Sequence, residues 1–409
     1  MTTQTTPRLP FEIWALIAGS FAVAVGYGVV APVLPQLASS FGVSITAASA
    51  IVSAFAAMRL VFAPAAGWFV NKWGERPTYT IGLLIVAAST GACAIAATYG
   101  QLLVLRAAGG IGSTMFSIAA TGLLIRLAPV KMRGRISSYN AASFLLGGLL
   151  GPVLGGVVAG FGLRAPFVFY FGMLLIAAAL VGIALRRSTT LPSRRDRADQ
   201  PVAPARLWDA IRHSQYRSAL LSFFAFGWGS FGVRVATIPL FLTVGLGADA
   251  AAAGWALATY AAGNAIFIFP SGRWADSLGR KPLLLIGYAV GGAGFAIVPF
   301  ADSVVTVCIA MAVAGVGSAF IGPAQQATIA DVVGKRPGGQ VVATSQMVMD
   351  LGAVIGPIIV GLIVDLSGFG LAFGITAGIM ALVAILWVFT KDSRVLQPPD
   401  TGALPTATQ

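Results

Sequence analysis

The chain has 409 residues, 57% of them hydrophobic and 10% charged, with a mean hydropathy of +0.87. No soluble fold of this length hides so much apolar surface, so its solvent is lipid. The net charge of +13 invites a nucleic-acid reading, but its placement along the chain is a membrane-topology signal and removes that class.

Met1–Pro10 is polar with a single arginine, and no small-residue cleavage site follows, so the first apolar run reads as a retained helix. Uncharged runs then recur, each able to supply the ~20 apolar residues a bilayer requires. They predict helices over 11–38, 44–70, 76–97, 100–128, 133–161, 164–186, 215–244, 249–275, 280–300, 303–333, 338–366 and 369–391. Such runs are too long for barrel strands, so the fold class is all-α and membrane-integral: twelve helices in two bundles of six. Residues 1–186 make the N-terminal bundle and 215–391 the C-terminal one. Between them, 187–214 is a polar linker with prolines at 192, 201 and 204 and the run Arg194-Arg195-Asp196-Arg197, suited to anionic headgroups. The only histidine, His213, falls in a short interfacial helix near 207–217, and 392–409 reads as a disordered tail.

In chain order, helix one carries Glu12 at its mouth and Tyr27 within Val23–Pro32, a stretch without an acid. Helix two contains Arg59 and ends in Gly67-Trp-Phe-Val-Asn71-Lys72-Trp-Gly74-Glu75-Arg76-Pro77. Helix four contains Arg106, followed by Gly109-Gly110-Ile-Gly112-Ser113, and helix five carries Gly147, Gly151, Pro152, Gly155 and Gly156. Helix seven contains Arg234 and helix eight Asn264, before Gly272-Arg-Trp-Ala-Asp276-Ser-Leu-Gly279-Arg280-Lys281-Pro282. Helix eleven contains Asp350, the one carboxyl placed deep in a span. Cys93 and Cys308 read as small apolar residues in spans, so no disulfide, metal site or cofactor is expected.

These features recur at one offset. Adding 205 to Gly147, Gly151 and Pro152 gives Gly352, Gly356 and Pro357, and adding it to Gly67, Gly74, Pro77 and Gly82 gives Gly272, Gly279, Pro282 and Gly287. Gly110-Ile-Gly112-Ser113 maps likewise onto Gly315-Val-Gly317-Ser318. One gapless offset across three regions means two copies of one half, the signature of a secondary transporter whose site lies where the repeats meet. Of the 26 Lys and Arg, all but Arg59, Arg106, Arg234 and the loop residue Arg164 fall on the side that carries both termini. The positive-inside rule makes that side cytoplasmic, in a cell membrane.

The paired 67–77 and 272–282 loops resemble the cytoplasmic gate signature of the major facilitator superfamily, over essentially the whole chain from Phe11 to Lys391. The second copy matches closely, whereas Asn71 stands where the family has Asp and Glu75 where it has a basic residue. The resemblance implies that Gly67, Asn71, Gly74 and Arg76, with Gly272, Asp276, Gly279, Arg280 and Lys281, form a gate. In it the acid meets the positive end of a helix from the other half. The first glycine of each loop reads as a place where helices approach. Arg106 sits in a segment similar to the superfamily's Arg-x-x-Gln-Gly motif, with Gly109 for Gln, and its repeat counterpart is Met311, so the charge belongs to one half. The glycine–proline set of helix five resembles the antiporter motif of the twelve-helix drug:proton antiporters, which implies export by antiport.

An ionisable group inside a span is expensive and functional by default. Asp350, Arg106, Arg59 and Arg234, with Tyr27 and Asn264, are therefore the candidates for proton coupling and the substrate cavity. Either Arg106 or Arg59 is expected to control Asp350, which otherwise serves as a structural counter-ion. The leading reading is a proton-driven exporter of small amphipathic molecules, with protons, cargo and lipid as partners and a monomeric state. An importer or exchanger of organic anions, clamped by Arg59 and Arg234, is the alternative, and a non-transporting receptor or scaffold is the alternative of another class. An enzyme is not expected, because the chain has neither a P-loop nor a nucleophile–base constellation.

Overall fold

The computed structural model describes residues 10–127, 132–186, 207–334 and 339–396. Among these, twelve helices are long and apolar enough to cross a membrane. They are α1 (Phe11–Val30), α2 (Ile45–Trp73), α3 (Glu75–Ala94), α4 (Tyr99–Leu127), α5 (Arg133–Ala159) and α6 (Ala165–Arg186), then α7 (Ser214–Gly245), α8 (Ala250–Ser277), α9 (Arg280–Phe300), α10 (Val304–Val333), α11 (Gly339–Ser367) and α12 (Phe369–Phe389). Most of the expected linker, the first nine residues and 397–409 lie outside the described residues.

Local chemistry sets the boundaries. The expected first helix breaks in two: α1 stops at Val30 and a short helix, Leu34–Ser39, follows. Pro32 and Pro35 are the cause, since neither has an N–H to donate to the carbonyl four residues back. Ser44 caps α2 by accepting from Ala47 N at 3.2 Å, and Asp249 caps α8 by accepting from Ala252 N at 2.9 Å. These caps are 205 residues apart, as are the two reversals at Gly74 (φ 88°) and Gly279 (φ 111°), where the backbone enters the left-handed region that glycine permits. Helix α7 carries π-helical stretches at Gly227–Val233 and Phe241–Gly245.

The buried apolar side chains form two clusters. One draws on Ile13 to Leu185 with a few α7 and α8 residues, and the other on Ala210 to Trp387. Asp392–Leu396, expected in the disordered tail, is instead held: Ser393 Oγ donates to Asp331 at 2.6 Å and Asp392 accepts from Lys281 N at 3.1 Å. These polar groups satisfy partners on α9 and α10.

With twelve spans, the start of α1 and the end of α12 lie on one side, the terminal end; the other is the distal end. The halves meet closely at the distal end through two equivalent seams. At one, a Cβ on Gly156 of α5 would lie 3.5 Å from Gly254 Cα of α8. At the other, a Cβ on Gly361 of α11 would lie 2.8 Å from Thr46 Cα of α2. Gly361 is Gly156 plus 205, so both seams are built from the same repeat position.

Candidate functional site

Between the halves, inside the distal seams, lies a cavity of about 660 Å³. Its lining includes Tyr27 (α1), Arg59 (α2), Arg234 (α7), Asn264 (α8) and Asp350 (α11), with hydroxyls from Ser113, Ser230 and Ser318. Five of the six expected cavity residues therefore converge. Arg106 does not: it is 5% exposed and sits behind Phe55, its guanidinium 4.5 Å from that ring's centroid. Phe55 lines the cavity and stands between Arg106 and the space. Helix α4 has other polar residues, Ser113, Thr114, Ser117 and Thr121, and its sequence did not show that a ring from α2 would cover Arg106.

Asp350 and Arg59 come from opposite halves. Arg59 is the guanidinium whose charge bears on the Asp350 carboxyl, but no ion pair within 4.0 Å joins them among the described residues. Arg59 Nε is buried without a hydrogen-bond partner. The two groups are thus close enough to sense each other's charge without forming a tight contact. Asn264, which is Arg59 plus 205, donates to Ser318 Oγ at 3.2 Å, so the second half has a neutral amide where the first has its cation. The Tyr27 ring stacks obliquely beside Phe55, centroids 6.2 Å apart.

Arg234 is anchored differently. Its Nε donates to the Ser230 carbonyl at 2.8 Å and its guanidinium lies over Tyr260, 4.0 Å from the centroid. Phe55, Phe226, Phe231 and Met349 give the cavity apolar wall. Phe223 and Trp228 are instead core, and Met347 is 46% exposed.

The antiporter-like glycines divide into two faces. Added Cβ atoms at Gly147, Gly151 and Gly155 would lie 2.5–2.6 Å from α1 atoms: Ala24 Cβ, Val25 O and Val29 O. Gly156 instead faces α8 across the seam, and Pro152 lines the cavity. The motif packs α1 on α5 and the halves on each other.

The gate loops are spread open at the terminal end. The Asp276 carboxylate is 77% exposed and pairs with Arg280, one turn on, at 3.4 Å. The close approach expected at the first glycine of each loop is not seen among the described residues, where a Cβ on Gly67 or Gly272 would meet nothing within 4 Å. In this conformation those helix ends are apart.

Three features escaped the sequence reading. Glu75 pairs with Arg126 at 2.5 Å, and Arg280 with Asp331 at 3.0 Å. Each residue of one bridge is 205 from its counterpart, and the charges are exchanged, so the offset was the signal that could have found them. The third is Asp365, at the distal end of α11. Its carboxylate accepts from Ile45 N (3.0 Å), Thr46 N (2.9 Å) and Thr46 Oγ1 (2.5 Å), at the start of α2 in the other half. No periodicity marks such a contact.

Twelve spans, a duplicated half and a charged cavity between the copies define a membrane transporter. The model of the Major Facilitator Superfamily matches residues 16–244 and 219–408, and the chain belongs to that family. It is 25% identical to "Multidrug resistance protein 2" of Bacillus subtilis (strain 168), over 86% of this chain and 88% of that one. It is 29% identical to "Tetracycline resistance protein, class G" of Vibrio anguillarum, over 87% and 88%. Among solved structures, a D-xylose-proton symporter superposes with a TM-score of 0.74 at 19% identity, covering 93% of this chain and 98% of that one. A bacterial homologue of the lysosomal transporter Spinster, in an inward-facing, occupied conformation, gives 0.71 at 16%, covering 94% and 95%.

Proposed function

We propose that the chain is a proton-coupled antiporter that exports small amphipathic molecules across a cell membrane. The observation that carries this reading is Asp350, a cavity carboxyl on one half, under the charge of Arg59 on the other. A proton on Asp350 weakens the attraction between the halves and a departing proton restores it, so proton occupancy biases the equilibrium between two arrangements of the bundles. The similarity to drug-resistance proteins supports export. Arginine and lysine placement makes the terminal end cytoplasmic, so the closed distal seams and the exposed Asp276 correspond to an inward-open state. Cargo would enter from the cytoplasm, and the unit that does this is a monomer, since the cavity lies within one chain.

Purified protein in proteoliposomes under an imposed pH gradient, offered a panel of amphipathic cargoes, tests the reading. Accumulation against the cargo gradient that collapses when the pH gradient is dissipated is the expected result. Uptake that ignores the pH gradient overturns proton coupling. A second reading, exchange or import of organic anions, is favoured by one observation, the excess of Arg59 and Arg234 over Asp350 in the lining.

A further inference from the structure

Arg59 and Asp350 balance each other, which leaves Arg234 as a cavity cation that no carboxylate answers among the described residues. Its orientation is fixed on two sides. The Nε edge is spent on the Ser230 carbonyl and the face rests over Tyr260, whose hydroxyl donates to Ser230 Oγ at 2.9 Å. Ser230 lies in the π-helical stretch Gly227–Val233, and such wide turns release backbone groups for side chains to claim. The two terminal amino groups of Arg234 have no hydrogen-bond partner among the described residues. A guanidinium pinned by one edge and one face, with its other edge open to a cavity, is built to grip a planar oxyanion through paired hydrogen bonds. At the repeat-equivalent position stands Val29, so the device belongs to one half and is not a packing feature of the repeat.

We propose that the cargo is zwitterionic: an apolar body with a carboxylate that the free edge of Arg234 binds, and a basic nitrogen that Asp350 receives. The second group rests on the antiport reading above and follows from the sign of coupling. A plain anion on Arg234 is held more tightly once Asp350 is protonated, because the cavity becomes more positive, and proton and anion would then travel together. Exchange needs binding that weakens as the proton arrives. An ammonium beside Asp350 behaves that way, because neutralising the carboxyl removes its partner. Phe226, Phe231 and Met349 offer apolar surface to the body of such a molecule.

The test uses the full chain in lipid nanodiscs and calorimetric binding of matched biphenyl compounds. These are biphenylalanine and 4'-(aminomethyl)biphenyl-4-carboxylic acid, which place the two charges close together and far apart, each with its methyl ester and its N-acetyl derivative. At one spacing or the other, the zwitterion is expected to bind about tenfold or more tighter than its ester. Arg234→Gln removes that margin while ester binding persists, and Arg234→Lys retains part of it. An ester as tight as its zwitterion, a margin that survives Arg234→Gln, or no binding by either series overturns the inference. An N-acetyl derivative that binds as well as the zwitterion, and better on acidification, also overturns it, and the direction of coupling with it. Binding that depends on Arg234 without accumulation driven by the pH gradient supports the subsite and defeats the antiport reading.

Discussion

Asp350 works only if its carboxyl has two accessible charge states, and its surroundings provide for both. Its carboxyl and the Arg59 guanidinium line the same cavity from opposite halves, and among the described residues no ion pair within 4.0 Å locks them together. The absence of a tight ion pair matters, because a 4 Å contact in a cavity would hold the carboxylate in one state. Asp350→Asn is therefore expected to abolish accumulation driven by the pH gradient, to make cargo binding weaker and independent of pH, and to leave passive exchange in place. If the group is only a counter-ion, the variant instead strands Arg59 in the cavity and yield or thermal stability falls. A reconstituted Asp350→Asn protein that still concentrates cargo removes Asp350 from the mechanism. The sequence showed which charges were in the membrane but not which faced one another. Arg59 and Arg106 were equal candidates there, and only the packing of Phe55 against Arg106 separates them.

Among the helices, the two exchanged bridges answer the same structural need with opposite polarity. Each ties the start of the third helix of a half to the end of its fourth. Their exposures differ: 20% and 12% for Arg126 and Glu75, against 8% and 3% for Arg280 and Asp331. Breaking a buried pair strands a charge at a cost of about 3–5 kcal/mol, whereas a more exposed pair contributes about 0–1 kcal/mol. Asp331→Asn should accordingly lower thermal stability much more than Glu75→Gln, and a Glu75→Arg, Arg126→Glu double variant should recover the stability that either single change loses. Comparable losses from Asp331→Asn and Glu75→Gln would refute this ranking. The glycines divide in the same way. Gly151→Leu drives a side chain into Val25 O and parts α1 from α5, a loss of about 1–3 kcal/mol by overpacking. Gly67→Ala meets open space here and should leave folding unchanged; a melting temperature lowered as far as that of Gly151→Leu would show that the α2 terminus is packed after all. Helix number, the repeat and the loop reversals were legible because each depends on local composition or a fixed offset. Proline breaks were not legible from the length of an apolar run: Pro32 and Pro35 lie inside the run expected as one helix over 11–38, yet they divide it.

For the whole molecule, the captured arrangement has its halves joined at the distal end and its gate loops apart at the other. Asp365 holds one seam with three hydrogen bonds to the start of α2. Asp365→Ala should shift the population toward the distal-open arrangement by about tenfold or more, since hydrogen bonds to a charged group are worth about 1.5–3 kcal/mol. Spin-label distances between the distal ends of α2 and α11 read that shift, and an unchanged distance distribution would show that the clamp is idle. Gly160 occupies the repeat-equivalent position, with no side chain to offer α8. Two doors therefore close one mouth: a carboxylate bolts one, and a single long hydrogen bond, from Gln36 Nε2 to the Ala250 carbonyl at 3.5 Å, latches the other. The α5–α8 side, held by glycine packing and one long hydrogen bond, should part before the α2–α11 side, so the exit opens as a wedge rather than a ring. A molecule leaving through a wedge departs beside particular helices, and the residues it brushes on the way out belong to α5 and α8.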